Sequence, residues 1–181
     1  MVESPCDPSF EDQESSSTVA ESNLVYKRMF RLFPTVDPKV PNTIQICIAC
    51  VIFNLALLHQ HQAATVQPGT FRDSLLERSA LLYQSCSQIV PAIVPIKKDT
   101  SSTISVDDVV FILKVGALNN SAQILYECNQ YQQACDRLYM VESILCSLGL
   151  FETHCCFTVQ EFEGILSNVM LLRPPTVAVA A

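Results

Sequence analysis

Cys47-Ile-Ala-Cys50 is the spacing in this chain most able to do chemistry, because two thiols three positions apart can form a redox pair or half of a zinc site. A tetrahedral site needs two further donors, and no second CxxC supplies them. His154-Cys155-Cys156 has the right donor types, but it reads more simply as the loop before a capped helix. His59 and His61 are two apart, which turns them to different faces of a helix, so they are expected to be exposed residues and not a metal pair. Asn119-Asn120-Ser121 matches a glycosylation acceptor, yet it falls inside a helical pattern in a chain with no secretory signal. No GxSxG, phosphate-cradling glycine loop or HExxH occurs, and four glycines leave little for nucleotide-binding turns. An enzyme is not expected, nor a metal or cofactor. A thiol-based metal or redox protein using Cys47 and Cys50 stands as the alternative.

The nine cysteines are odd in number and sit among aliphatic residues, away from the loop positions of a disulfide framework. That usage points to a reducing compartment. The amino terminus is acidic and serine-rich where a secretory signal would need a basic flank and an apolar run, so a cytoplasmic or nuclear protein is expected. The net charge of −7 is uneven: residues 1–25 carry six acids and no Lys or Arg, leaving a nearly neutral remainder. The one basic cluster, Lys27, Arg28 and Arg31, is too small for a nucleic-acid face. The apolar run from Ile44 to Leu58 contains Gln45 and Asn54 and is shorter than the roughly 20 residues that span a bilayer. It reads as a buried helix.

A chain of 181 residues holds one domain with tails. Residues 1–25 have too little apolar content to offset the entropy of ordering and read as a disordered acidic tail; 26–172 form the helical domain, and 173–181 a flexible tail. A short extended lead segment around Tyr26 and Phe30 is followed by prolines at 34, 38 and 41. The first helix starts at Asn42 or Thr43 and runs to about His59. After the breaker Gln67-Pro68-Gly69, Thr70 with Asp73 resembles a capping pair for a second helix carrying Leu76, Ser79, Tyr83, Cys86 and Val90 on one stripe. Ser105 with Asp108 opens a third, whose stripe is Phe111, Val115, Leu118, Ala122 and Leu125, with Gly116 in its interior. Asn129 suits the left-handed turn before a fourth helix over 131–148, striped by Tyr131, Ala134, Leu138, Val141, Leu145 and Leu148. Thr158 with Glu161 caps a fifth, with Val159, Phe162, Leu166, Val169 and Met170 on one face, stopped by Arg173-Pro174-Pro175.

Leu118, Asn120, Ala122, Leu125, Tyr131, Ala134 and Leu138 resemble the tetratricopeptide (TPR) repeat, with Asn129 where that family usually has Gly. Asn54, Leu55, Ala56, Ser79, Tyr83 and Cys86 resemble a first unit, stretched so that Asn54 and Asn120 are 66 positions apart, against a family period of about 34. Over residues 24–181 the chain is also similar to short TPR-like proteins predicted from diatom genomes, through VIFNLALLHQ, ERSALLYQSC, ALNNSAQILYE and FEGILSNVMLL. The resemblance implies an all-α, TPR-like array of two antiparallel helical hairpins with a C-terminal capping helix. It implies a non-catalytic protein-protein interaction module, a scaffold or adaptor that binds a protein or peptide segment on its concave face, with no nucleic acid and no membrane as partner. By position in the repeat, Asn119, Gln123, Tyr126 and Glu127 line that face. Some TPR domains clamp a terminal carboxylate with Lys and Asn; the matching positions of the first unit here are Phe53 and Leu57, which argues against such a clamp. Two units are few for a repeat array, so a homo-oligomer through the first helix is the further partner considered, beside a structural subunit of a larger complex.

Overall fold

The computed structural model describes Tyr26, Lys27, Met29, Phe30 and residues 42–90, 106–147 and 157–172. The expectations for the two tails, for Ser105 as a cap and for His154-Cys155-Cys156 fall outside these residues. Among the described residues every regular element is an α-helix: α1 (Thr43–Thr65), α2 (Thr70–Ile89), α3 (Val106–Glu127), α4 (Tyr131–Ser147) and α5 (Val159–Leu171). Consecutive helices α1 to α4 pack side by side, and α3 also touches α1 and α5. The core runs along α3, where Val110, Phe111, Ile112, Leu113, Val115, Leu118 and Ile124 are all buried.

Local chemistry explains most boundaries. Thr158 and Glu161 form a complete capping box, with the Glu161 amide donating to Thr158 Oγ1 at 3.2 Å and the Thr158 amide donating to Glu161 Oε2 at 2.8 Å. Asn129 closes α3 in the left-handed region at φ 60°, and the amides of Asn129 and Gln130 donate back to the carbonyls of Tyr126 and Leu125. That pair of bonds is the Schellman closure, which satisfies two carbonyls the helix end would leave open.

Several boundaries and faces differ from the sequence reading. α1 continues past His59 to Thr65, because Gln60 and Ala63 find cover: Gln60 accepts a 2.9 Å bond from the Tyr83 hydroxyl, and Ala63 is fully buried. Gly69 occupies the cap of α2 at φ 154°, a conformation that favours glycine, so Thr70 is the first helical residue and makes no cap. Asn42 holds the cap position of α1 at φ 65° without a side-chain cap bond. The buried face of α5 is Gly164, Ile165, Asn168 and Val169, while Val159 and Met170 are exposed. His61 is exposed as expected, but His59 is half-buried, with Nδ1 out of contact with solvent.

At 23 residues, α1 is long and apolar enough to cross a membrane by length and composition alone, as is the stretch Asp107–Glu127 of α3. The two differ in burial. The apolar window of α3 is 83% buried, as a core helix should be, whereas that of α1 is 39% buried. The expectation of a buried helix over Ile44–Leu58 therefore holds for one face of α1 and not for the other.

Candidate partner-binding groove

Asn54 on α1 and Asn120 on α3 do the same thing to the lead segment. The Tyr26 amide donates to Asn120 Oδ1 at 2.8 Å, and Asn120 Nδ2 donates to the Tyr26 carbonyl at 2.9 Å. The Phe30 amide donates to Asn54 Oδ1 at 2.9 Å, and Asn54 Nδ2 donates to the Phe30 carbonyl at 2.8 Å. Each carboxamide thus satisfies both backbone groups of one residue, which its planar donor-acceptor pair is shaped to do. Such a grip reads backbone and not side chain. Each asparagine lies two positions before a fully buried alanine, Ala56 and Ala122.

The lead segment fills the space with rings. Tyr26 is 2% exposed and packs edge-on against Phe53 of α1 and Phe157 before α5, with centroids 6.0 and 5.7 Å away. Phe30 stands edge-on to Phe53 at 5.2 Å. Edge-to-face pairs of this kind add about 0.5–1.5 kcal/mol each beyond the area they bury. Gly116 explains itself here: a Cβ at that position would lie 3.1 Å from Tyr26 Cδ1 and 3.4 Å from Phe53. Glycine in mid-helix costs about 1 kcal/mol against Ala, and it opens the socket for the tyrosine ring.

A buried polar network backs the grip. Asn120 Nδ2 also donates to the Tyr83 hydroxyl at 3.0 Å, which in turn donates to Gln60 Oε1 at 2.9 Å. Asn119 Nδ2 donates to Asn120 Oδ1 at 3.2 Å, and Asn168 Nδ2 of α5 donates to Asn119 Oδ1 at 2.9 Å. Through these bonds α1, α2, α3, α5 and the lead segment share one network. Burial pushes the Tyr83 hydroxyl well above its ordinary range, with the Asn120 bond opposing the shift.

The four residues expected to line the concave face are divided. Asn119 is fully buried in that network, and Gln123 is 2% exposed, with neither amide atom hydrogen-bonded. Tyr126 and Glu127 are at the surface; Tyr126 stacks edge-on with Tyr131 at 5.0 Å, and Glu127 pairs with Arg72 of α2 at 3.0 Å. The resemblance to a TPR pattern includes Asn54 and Asn120 without giving them a ligand. The signal was an asparagine two positions before a small residue, twice, inside otherwise apolar helices.

No family model, curated protein or solved structure matches this chain. The functional reading therefore rests on its own side chains.

Cys50 and Cys86 are buried in the core. Burial, reinforced by the neighbouring Cys47, pushes the Cys50 thiol up to about 11, and Cys86 is pushed up to about 12 by burial and then by Cys50. Cys86 Sγ donates to the Ala49 carbonyl. A thiol held protonated at neutral pH is a weak nucleophile and a poor metal ligand. Among the described residues, no three His, Cys, Asp or Glu converge on one point. Lys114 places its ammonium on the Ser87 carbonyl in the last turn of α2, where a cation suits the helix end, and desolvation lowers its pKa.

Proposed function

We propose that this chain is a non-catalytic, TPR-like interaction module, two helical hairpins closed by α5, whose groove takes a segment of protein backbone. One observation carries the reading: Asn54 and Asn120 each bind the amide and the carbonyl of a single residue in a non-helical segment. The resident occupant is the chain's own lead segment. A partner segment would replace it, bringing an aromatic side chain for the socket formed by Phe53, Gly116 and Phe157, and a second for the Phe30 position. Asn119 and Asn168 hold Asn120 in place, and Tyr126 and Glu127 are left to meet whatever part of the partner extends beyond the groove. The packing of α1 on α2 and α3 on α4, with Asn-x-Ala in α1 and again in α3, supports two related units. The raised Cys50 and Cys86 thiols weigh against the redox alternative.

Exchange in trans tests the proposal. A protease site placed between Pro34 and Pro41 of the full chain, once cut, allows a labelled peptide of residues 22–33 to compete with the resident segment. Fluorescence anisotropy should rise on cutting, and should fail to rise when Asn54 and Asn120 are both leucine. Peptide uptake that ignores both substitutions sinks the groove.

A further inference from the structure

The outer face of α1 is apolar, regular and not covered by any other described residue. Ile44, Ile48, Val51, Leu55 and Leu58 are 62, 46, 53, 42 and 56% exposed. Their spacing is four, three, four and three, the a/d seam of a coiled coil, sustained over about 21 Å of helix. The opposite face, from Ile46 to Ala63, is already used against the rest of the fold. In a repeat array an end helix normally turns a polar face outward. This one does not.

We infer that the outer face of α1 is a dimer interface for a second copy of this chain. Three observations select that occupant. First, the 4-3-4-3 seam is what a facing helix with the same seam requires, and a two-fold axis supplies one. Second, α1 contains no Asp, Glu, Lys or Arg; the seam is flanked by Gln45, Cys47, Ile52, His59 and His61, so no carboxylate, ammonium or guanidinium of α1 opposes its own copy. Third, the five side chains expose roughly 450 Å² per copy, so two facing copies offer about 900 Å², close to the ~1,000 Å² that a specific interface needs. Two other segments are poor substitutes: residues 1–25 carry six acids, and residues 31–41 hold three prolines, which forbid a helix with a matching seam. The inference is independent of the groove, because Asn54 and Asn120 face the lead segment and the seam faces away from the core.

Sedimentation velocity on the full chain under reducing conditions, from about 1 to 100 µM, is the test, with Val51→Glu and Leu55→Glu made singly and together. The wild-type chain should sediment as a dimer. The double variant should be monomeric with an unchanged helical circular dichroism spectrum, and its peptide exchange at the groove should be intact. A wild-type monomer across the whole range overturns the inference, as does a dimer that tolerates both glutamates. A monomeric wild-type chain that co-floats with phosphatidylcholine vesicles, where the double variant does not, would give the face to a membrane instead.

Discussion

The asparagines show how one side-chain type serves different ends within a few positions. Asn120 holds two backbone groups of Tyr26, the Tyr83 hydroxyl and the Asn119 amide, all in the interior, whereas Asn54 holds two backbone groups at a half-buried site. Leaving a buried polar group unmet costs about 1–3 kcal/mol. Asn120→Ala should therefore destabilise by about 2–4 kcal/mol, and Asn54→Ala by about 1 kcal/mol, as read from urea denaturation midpoints. Gln123 is the reverse case. Its amide is buried with no hydrogen bond, so Gln123→Met, which keeps the length and removes the polar atoms, should be neutral or raise stability by about 1 kcal/mol. A clear loss of stability in Gln123→Met would show that the amide has a partner. The expectation that Gln123 lines an exposed concave face beside Glu127 gives way to this one.

At the scale of elements, helix ends and helix crossings respond to different substitutions. Thr158→Ala removes half of the capping box of α5 and should cost about 1 kcal/mol. Ala122 on α3 and Ala134 on α4 are both fully buried. Leucine at either position adds volume to a packed site and should cost about 1–3 kcal/mol. Thermal melts separate the two classes if the peptide-exchange assay is run beside them. Thr158 follows Phe157 of the socket and opens the helix that carries Asn168, so its loss should lower the melting temperature and weaken exchange only in step with that loss. Ala122→Leu, two residues from Asn120, should impair both; full exchange in that variant would detach the Asn-x-Ala arrangement from the groove.

For the whole molecule, the buried thiols set an alkaline limit. Cys50 and Cys86 are raised from an ordinary value of 9.0 to about 11 and about 12. Below pH 9 both states carry the protons and the thiols add no pH dependence. As pH rises above 9 the unfolded chain loses protons that the folded chain keeps, so stability falls through the window from 9 toward 11 and 12. The limiting slope for each thiol is of order 1 kcal/mol per pH unit. Urea midpoints at pH 8.0 and 10.0 under reducing conditions should show the decline, and Cys86→Ala should flatten it while lowering stability throughout. An equal slope in that variant would mean that Cys86 ionises as readily in the fold as outside it.

What the sequence determined by itself was local. The start of α3 and the bounds of α4 are close to expectation, as are the Thr158 cap and the left-handed Asn129, because helical periodicity, capping and breaking act within a few residues. Tyr131, read as the first member of the α4 stripe, is exposed instead. The stripe from Leu76 to Val90 on α2 is buried as its spacing requires. Tertiary structure decided where polar residues go. Apolar periodicity treats Asn119, Gln123 and Asn168 as surface, yet all three are buried, and Asn119 and Asn168, 49 positions apart, bond each other. It also decided that the most apolar helix would leave a full stripe uncovered, and that Gly116 would be an opening for Tyr26 instead of a flaw in α3. Both outcomes depend on which distant segment arrives at a helix face, and spacing along one helix carries no record of that arrival.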